Sequence, residues 1–549
     1  MPEISRRSLV LGTLAAGGAG LAAAVTAPPA TAGGLLRTAS PGLVRQRLTL
    51  PSGIQFGDAG TDSAVLWSRA SGRGRLVATL RTVDADGRVL RGKGAFARTL
   101  RSGWATEDSD YTAKIAAPQL PSGSRFAVTM AFEDEHGNLG ESREGSFSTA
   151  PGPNAVGRGP GRGRGEVPRG QSFVWTGDTA GQGWGINEEI GGMFAYSAMR
   201  AVKPDFFVHS GDTIYADGPI AETVEEPDGQ IWRNLVTPEV AKVAETLDEY
   251  RGRHRYNLMD ANVRAFYSEV PVIAQWDDHE TTNNWWHGEV LEDERYTVRD
   301  VDTLAARGRR AWQEYQPLAD PRAMRRGTGF EPARIYRKIE RGPQLDLFSL
   351  DMRTFKGQNT DGMEPHATPI LGEEQLQWLI KEVRRSQATW KVILSDLPLG
   401  IVVPDGDAQE SISNADDGAP LGRELELARL LKAFKDAGVK NIVWLTADVH
   451  YCAAHHYSPE RAAFTDFEPF WEFVAGPINA GSFGPNKMDG TFGPEVAFAK
   501  AGERANQSPR DGKSQFFGHV ELDEADQFTV TLRNALGEAV FSKTLAPER

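Results

Sequence analysis

Six short apolar runs, each closed by an aspartate a few residues later, constrain this chain more than any other feature. They are "SFVWT" (172–176), "DFFVHS" (205–210), "VPVIAQW" (270–276), "LDLFSL" (345–350), "WKVILS" (390–395) and "NIVWLT" (441–446). The aspartates are Asp178, Asp212, Asp277 with Asp278, Asp351, Asp396 and Asp448. Runs of this length and composition read as buried strands. Stretches of helical spacing lie between them, notably 373–386 and 423–438, the second stopped by Gly438. Strands alternating with helices predict an α/β fold, in which ligands settle in the crevice beyond the carboxyl ends of the strands. Carboxylates gathered there repel one another at a few ångströms unless cations neutralise them. A multi-metal centre is the economical reading.

The donor types around those aspartates sharpen it. "HSGDTIYADG" brings Tyr215 close behind Asp212, "WDDHE" brings His279 beside Asp278, and "TADVHYCAAHHY" brings His450, His455 and His456 close to Asp448. Carboxylates suit hard cations such as calcium, imidazole suits transition metals, and a phenolate such as Tyr215 favours ferric iron. Ordinary roles are expected of Asp351 (a cap, or a partner of Arg353), of His455 and His456 (surface, or behind the ligands), of Cys452 (a small buried hydrophobe) and of His209 (a core histidine).

Ahead of this region, from about Val44 to Thr149, short alternating runs are separated by Gly, Asp, Pro and Ser, the pattern of a small β-sandwich. The expected organisation is a β-sandwich over 44–150, a Gly/Pro/Arg linker over 151–170 and the metal domain over 171–549. The N-terminal 32 residues carry paired Arg6 and Arg7, a weakly apolar Ala/Gly stretch and a small-residue "ATA". That order reads as a twin-arginine export signal, so a periplasmic or extracellular protein is expected. The stretch is too short and too rich in glycine for a membrane span, which needs ~20 apolar residues, and no other segment is long and apolar enough. The formal charge of −13 argues against a general nucleic-acid binder. A single cysteine excludes an intrachain disulfide. A monomer acting on a small ligand is expected.

Taken in order, "TGDTAGQ", "HSGDTIYADG", "WDDHETTNN", "LSDLP" and "LTADVHY" resemble the motifs of the PhoD-type alkaline phosphatases and phosphodiesterases, within the calcineurin-like metallophosphoesterase superfamily. The resemblance spans nearly the whole mature chain. It implies an α/β metallophosphoesterase fold of two mixed β-sheets flanked by helices, preceded by the β-sandwich, and it implies Fe3+ and Ca2+ as cofactors, with another transition metal as the alternative to iron. Carried over motif by motif, Asp212 would bridge the metals, Tyr215 and His450 would bind iron, and Asp396 and Asp448 would complete the calcium side. Asp278 stands where the superfamily usually has a metal-binding asparagine, and His279 would face the leaving group. Two departures stand out. The first motif lacks the cysteine often found in the family, so Asp178 takes its place as ligand, and Ala180 stands where the superfamily often has a histidine.

The implied activity is hydrolysis of phosphate esters through attack by a metal-bound hydroxide, with His279 as acid and Arg353, Asn283 or Asn284 on the phosphate oxygens. Two other readings remain open here. One is a phosphodiesterase or phospholipase D-like enzyme acting on lipid headgroups or teichoic-acid-type polymers. The other is a non-catalytic binding protein of the cell envelope.

Overall fold

All six apolar runs are strands, but they divide between two sheets. The computed structural model describes residues 47–92, 94–152, 170–318 and 333–548. The expected export signal and nearly all of the expected linker lie outside the described residues. Seven strands come first: β1 (Ile54–Gly57), β2 (Ala64–Arg69), β3 (Gly74–Val83), β4 (Ala97–Ala105), β5 (Thr112–Ala117), β6 (Arg125–Glu133) and β7 (Leu139–Ser148). They form two layers, β1-β2-β5 and β4-β3-β6-β7, closed over Phe56, Leu66, Leu76, Leu80, Phe126 and Phe147.

Then come β8 (Gln171–Thr176), β9 (Phe206–Ser210), the hairpin β10 (Thr223–Glu225) and β11 (Ile231–Arg233), β12 (Val272–Gln275), β13 (Arg337–Glu340), β14 (Leu345–Ser349) and β15 (Trp390–Leu394). A second hairpin, β16 (Pro404–Asp405) and β17 (Ala408–Gln409), precedes β18 (Ile442–Thr446), β19 (Cys452–Tyr457), β20 (Phe470–Val474) and β21 (Pro494–Lys500). The tail adds β22 (Phe516–Leu522), β23 (Phe528–Asn534) and β24 (Ala539–Leu545). The helices are α1 (Ala195–Ala201), α2 (Leu247–Asn257), α3 (Ala261–Tyr267), α4 (Val301–Tyr315), α5 (Gly372–Arg385) and α6 (Glu424–Asp436).

One sheet runs β24-β23-β22-β8-β9-β12-β1-β2-β5, the other β13-β14-β15-β18-β20-β19-β21. In the first, β8, β9 and β12 are parallel; in the second, β14, β15, β18 and β20 are. The sheets face each other across a core in which Phe173, Trp175, Phe206 and Val208 meet Leu347, Val392, Leu394, Val443 and Phe473. Both faces of each central strand are therefore buried, which is why these runs read as continuously apolar rather than alternating. Helices cover the outer faces. In α5, Leu376, Leu379 and Val383 are buried at helical spacing, with Glu373 and Glu374 in the first turn and Arg384 and Arg385 in the last, complementing the helix dipole. The tail strands extend the first sheet through β22, antiparallel to β8.

The N-terminal layers are continuous with this assembly rather than strung beside it. β1 pairs in parallel with β12 at Gly57 and Val272, and the region packs with the rest of the described chain as one unit. Asp110, just before β5, is the polar lock of that junction. It accepts from Arg69 Nη2 at 2.7 Å, from Arg255 Nη1 of α2 at 2.8 Å, and from the Tyr315 hydroxyl of α4. Burial opposes its charge, but the bonds from Arg69, Tyr315 and Arg255 hold its carboxyl below the usual carboxylate range. Asp110→Asn removes the counter-charge of Arg69, while Arg255 keeps Glu239 and Asp248, and is expected to cost about 3 kcal/mol, as when one partner of a buried pair is removed. Because the folded-state value is depressed, the contribution is present above the ordinary carboxylate range and is lost as pH falls through the folded value. Urea midpoints of both proteins against pH measure this: the gap should be widest near neutrality and close in acid.

Candidate metal centre

At one edge of the paired sheets, the strand-end loops of β8, β9 and β12 face those of β15 and β18. Three groups have ligand atoms within 4.8 Å of one another: Asp178 with Asp212 and His450, Asp212 with Asp278 and His279, and Asp277 with Asp278 and Asp448. Asp212 and Asp278 are shared, so the groups form one chain of sites. The backbone is bent to make it. Asp178, Asp212, Asp448 and His450 have φ values of 69°, 51°, 68° and 59°, a left-handed conformation that is costly outside glycine and typical of functional sites. Gly211 stands at φ +90°, where a Cβ would come within 2.4 Å of the Asp277 side chain. A Cβ on Gly476 would lie 2.2 Å from Asp178 Oδ2.

The protein by itself leaves this charge unbalanced. Burial, and then mutual repulsion, push Asp178 and Asp212 well above the ordinary carboxylate value. Asp396 and Asp448 are raised by the same two causes, against the pull of Arg353. Asp277 is pushed up to about 6 by burial and its acidic neighbours, despite Arg353. Asp278 is the exception, because His279, Arg353 and the Asn284 N–H overcome burial and hold it low. Asp178 Oδ2, Asp277 Oδ2 and both oxygens of Asp396 have no hydrogen-bond partner. Buried carboxylate oxygens with no donor, in groups narrow enough to share an ion, fit bound cations.

His450 is set for ligation. Its Nδ1 lies 2.5 Å from the Gly481 carbonyl, so Nδ1 carries the proton and Nε2 keeps its lone pair, 2.8 Å from the Tyr215 hydroxyl. Burial lowers its pKa to about 4, which keeps it neutral. His279 is set differently. Its Nδ1 is 2.7 Å from Asp217 Oδ1 and its ring lies against Tyr215, tilted by 32° with centroids 4.2 Å apart. Burial alone would lower its pKa, but Asp217 and Asp278 push it up to about 9, so it carries a proton at neutral pH. Asp217 also accepts from the Asn283 N–H at 3.0 Å. In the tyrosine-bearing turn it braces the histidine of the next motif, a role the sequence pattern leaves unassigned.

Other expected residues fall in different places. Arg353, expected on phosphate oxygens, is fully buried: it pairs with Asp277 and Glu410 and lies 3.5 Å from Asp448, 3.7 Å from Asp396 and 3.8 Å from Asp278. It is the internal counter-charge of the carboxylates rather than a group at the mouth. Asn284 donates its side-chain amide to Asp405 at 3.1 Å and its backbone N–H to Asp278, while Asn283 is exposed. Asp396 stands beside Arg353, and Asp277 joins Asp278 and Asp448 instead. Asp351 caps, accepting from Trp276 Nε1 and the Thr354 N–H. His455 is not at the surface but buried against Glu472, His456 is half-buried, Cys452 is buried in β19, and His209 lies 3.1 Å from Thr179 Oγ1 inside β9.

Two residues with no assigned role carry much of the geometry. Glu280 accepts from the N–H groups of Asp212 (3.1 Å), Thr213 (2.6 Å) and Asp277 (2.7 Å), clamping two ligand loops together. Its place next to His279 in "WDDHE" was the available signal. Glu410, which holds Arg353, follows β17 in a segment with no pattern of its own.

The sequence model of the PhoD-like phosphatase family matches residues 173–532, a span that contains every residue of the three ligand groups. Alkaline phosphatase D of Bacillus subtilis (strain 168) is 29% identical over 316 residues, covering 55% of this chain and 51% of the relative. The chain thus spans about half the length of that curated relative. A solved structure titled "Structure of PhoD" superposes with a TM-score of 0.64 at 20% identity, over 90% of this chain and 89% of that one, a likeness of fold. With the α/β architecture and its carboxylate-lined edge in place, the match across most of the chain is decisive: the chain belongs to the PhoD-like phosphatase family.

Proposed function

We propose that the protein is an exported, metal-dependent alkaline phosphatase that hydrolyses phosphate monoesters. The chain of three ligand groups, with the His279 ring braced by Asp217 beside it, carries this reading. Asp178, Asp212, Tyr215 and His450 would hold an iron ion, and Asp212, Asp278, Asp277, Asp448 and the adjoining Asp396 would hold calcium. Bound there, such cations lower the pKa of a coordinated water and neutralise the phosphate oxygens. The remaining work falls to side chains. Asp217 fixes the ring of His279 through Nδ1, and the Tyr215 ring supports one face of it. Nε2 is left as the proton donor for the departing alkoxide. Arg353, Asp277 and Glu410 form the rigid floor, and Glu280 keeps the Asp212 and Asp277 turns in register. Asn283 is the exposed amide closest in sequence to the acid and the candidate contact for phosphate oxygens.

Purified, metal-replete protein should hydrolyse p-nitrophenyl phosphate faster than bis-p-nitrophenyl phosphate; a reversed preference would make it a diesterase, and hydrolysis of neither would rule out the enzyme. Asp212→Asn should lower metal content and activity together. His279→Ala should keep most of the metal yet slow alkyl phosphates by about 10²–10⁴-fold, with less effect on p-nitrophenyl esters, whose leaving group needs little acid. Metal analysis beside rates on the two ester types checks both.

A ferric ion held by Tyr215 would give a visible charge-transfer band. Tyr215→Phe is expected to abolish that band, measured by absorbance of iron-loaded protein, and a colourless, iron-free, active preparation would remove iron from the assignment. Export is read from Arg6 and Arg7: replacing both by lysine should leave the protein in the cytoplasm, as cell fractionation would show. Among the described residues, no helix is long and apolar enough to cross a membrane.

A further inference from the structure

Lys356 is a buried cation with no part in the chemistry described so far. It follows Arg353 in the turn that leaves β14, where its N–H donates to the Arg353 carbonyl at 3.3 Å, and it is 1% exposed. Its amine faces four acceptors: the Asn359 side-chain oxygen at 2.6 Å, the Asn284 carbonyl at 3.2 Å, the Trp285 carbonyl at 3.4 Å and Glu410 Oε1 at 3.4 Å. Acceptors suit an ammonium, which has only N–H groups to offer. The contacts converge on Asn284, which stands at φ 56°, a left-handed conformation that a residue other than glycine holds where its surroundings fix it. The Asn284 carbonyl also accepts from the Asn359 side-chain amide at 2.9 Å, its own side-chain amide donates to Asp405 at 3.1 Å, and its backbone N–H donates to Asp278 Oδ2 at 2.6 Å. Asp278 is the carboxylate that two of the three ligand groups beyond Asp212 share with one another. A ring of contacts closes on it: from Asp278 Oδ2 through Asn284 to Lys356, on to Glu410, from there to Arg353, and back to Asp278 Oδ1, which lies 3.8 Å from Arg353 Nη2.

A positive charge buried in the same ring as a cation-binding carboxylate works against the bound cation, because like charges repel more strongly away from water. As a charge alone, Lys356 would weaken the centre. Its bonds give it a different use. We propose that Lys356 is a positioning residue: by holding the carbonyls of Asn284 and Trp285 it keeps the Asn284 N–H on Asp278, and so sets the affinity for a divalent cation of the side where Asp277, Asp278 and Asp448 meet. This inference rests on the reading of those carboxylates as a calcium site. Partners that orient a metal-binding side chain from behind typically change metal affinity by about 10–100-fold when they are removed. The effect of positioning and the effect of charge therefore have opposite signs, and calcium affinity tells them apart.

The test uses the full-length protein, stripped of metal with a chelator and titrated with calcium by calorimetry, its folding checked by circular dichroism. Lys356→Met keeps the reach of the side chain and removes its charge and its N–H groups. Calcium binding by the folded variant is expected to be about 10–100-fold weaker than by the wild type, in spite of the lost positive charge. Equal or tighter binding would overturn the proposal, since that is the result of removing a charge that positions nothing. If Lys356→Met does not fold, Asn359→Ala decides: it leaves the charge in place but takes from Lys356 its nearest acceptor and from the Asn284 carbonyl its second donor. Weaker calcium binding is expected of it too, and unchanged affinity would overturn the proposal. Wild-type protein that takes up no calcium would overturn this inference together with the calcium assignment, whereas calcium held equally by wild type and variant would overturn this inference alone.

Discussion

Electrostatic repulsion among carboxylates at one buried edge is the constraint on which the rest of this structure depends. Two unit charges about 4.8 Å apart at an effective dielectric of about 20 repel by roughly 3.5 kcal/mol. A few such pairs equal the whole stability of an ordinary domain, about 5–15 kcal/mol. Arg353 answers part of this charge: it is fully buried, reaches Asp277 and Glu410 directly, and lies within 4 Å of Asp278, Asp396 and Asp448. No ion pair joins it to Asp178 or Asp212, which lie beside His450 and His279. On that side the donors are mixed, with a phenol and an imidazole among the carboxylates. On the other side the donors are carboxylates alone. This asymmetry gives the proposed pairing of a ferric ion with calcium its physical basis.

Holding such a centre demands rigidity from the scaffold. Left-handed turns at Asp178, Asp212, Asp448 and His450 are tolerated only where the surroundings over-determine them. Here the surroundings are two facing sheets with aromatic and branched side chains between them, helices outside, and Glu280 joining the turns after β9 and β12. Asp217 and Tyr215 fix the His279 ring from two directions, while the Gly481 carbonyl fixes His450 in the opposite protonation state. Two histidines in one site thus have their pKa values driven apart, to about 9 and about 4. In the proposed reaction that separation would divide proton donation from ligation.

Much of this was legible in the residues. Continuous apolar runs predicted buried strands, the aspartates after them predicted a charged edge, and the spacings at 373–386 and 423–438 match α5 and α6 within two residues at each end. These features follow from local chemistry: a strand buried on both faces must be apolar throughout, and a helix lying on a sheet must be amphipathic. Metal-type donors could be named because aspartate, histidine and tyrosine carry their chemistry wherever they stand. The tertiary structure decided which of them meet. Asp351 and Asp396 follow strands in the same way as Asp212, yet one became a cap and the other stands beside Arg353, because the packing of two sheets fixes which strand-end loops converge. Arg353 read as a contact for phosphate oxygens and is a buried counter-charge, since sequence does not reveal the depth of a side chain. Glu280, Glu410 and Asp217 act across 57 to 68 residues of chain, through partners that no local pattern could pair.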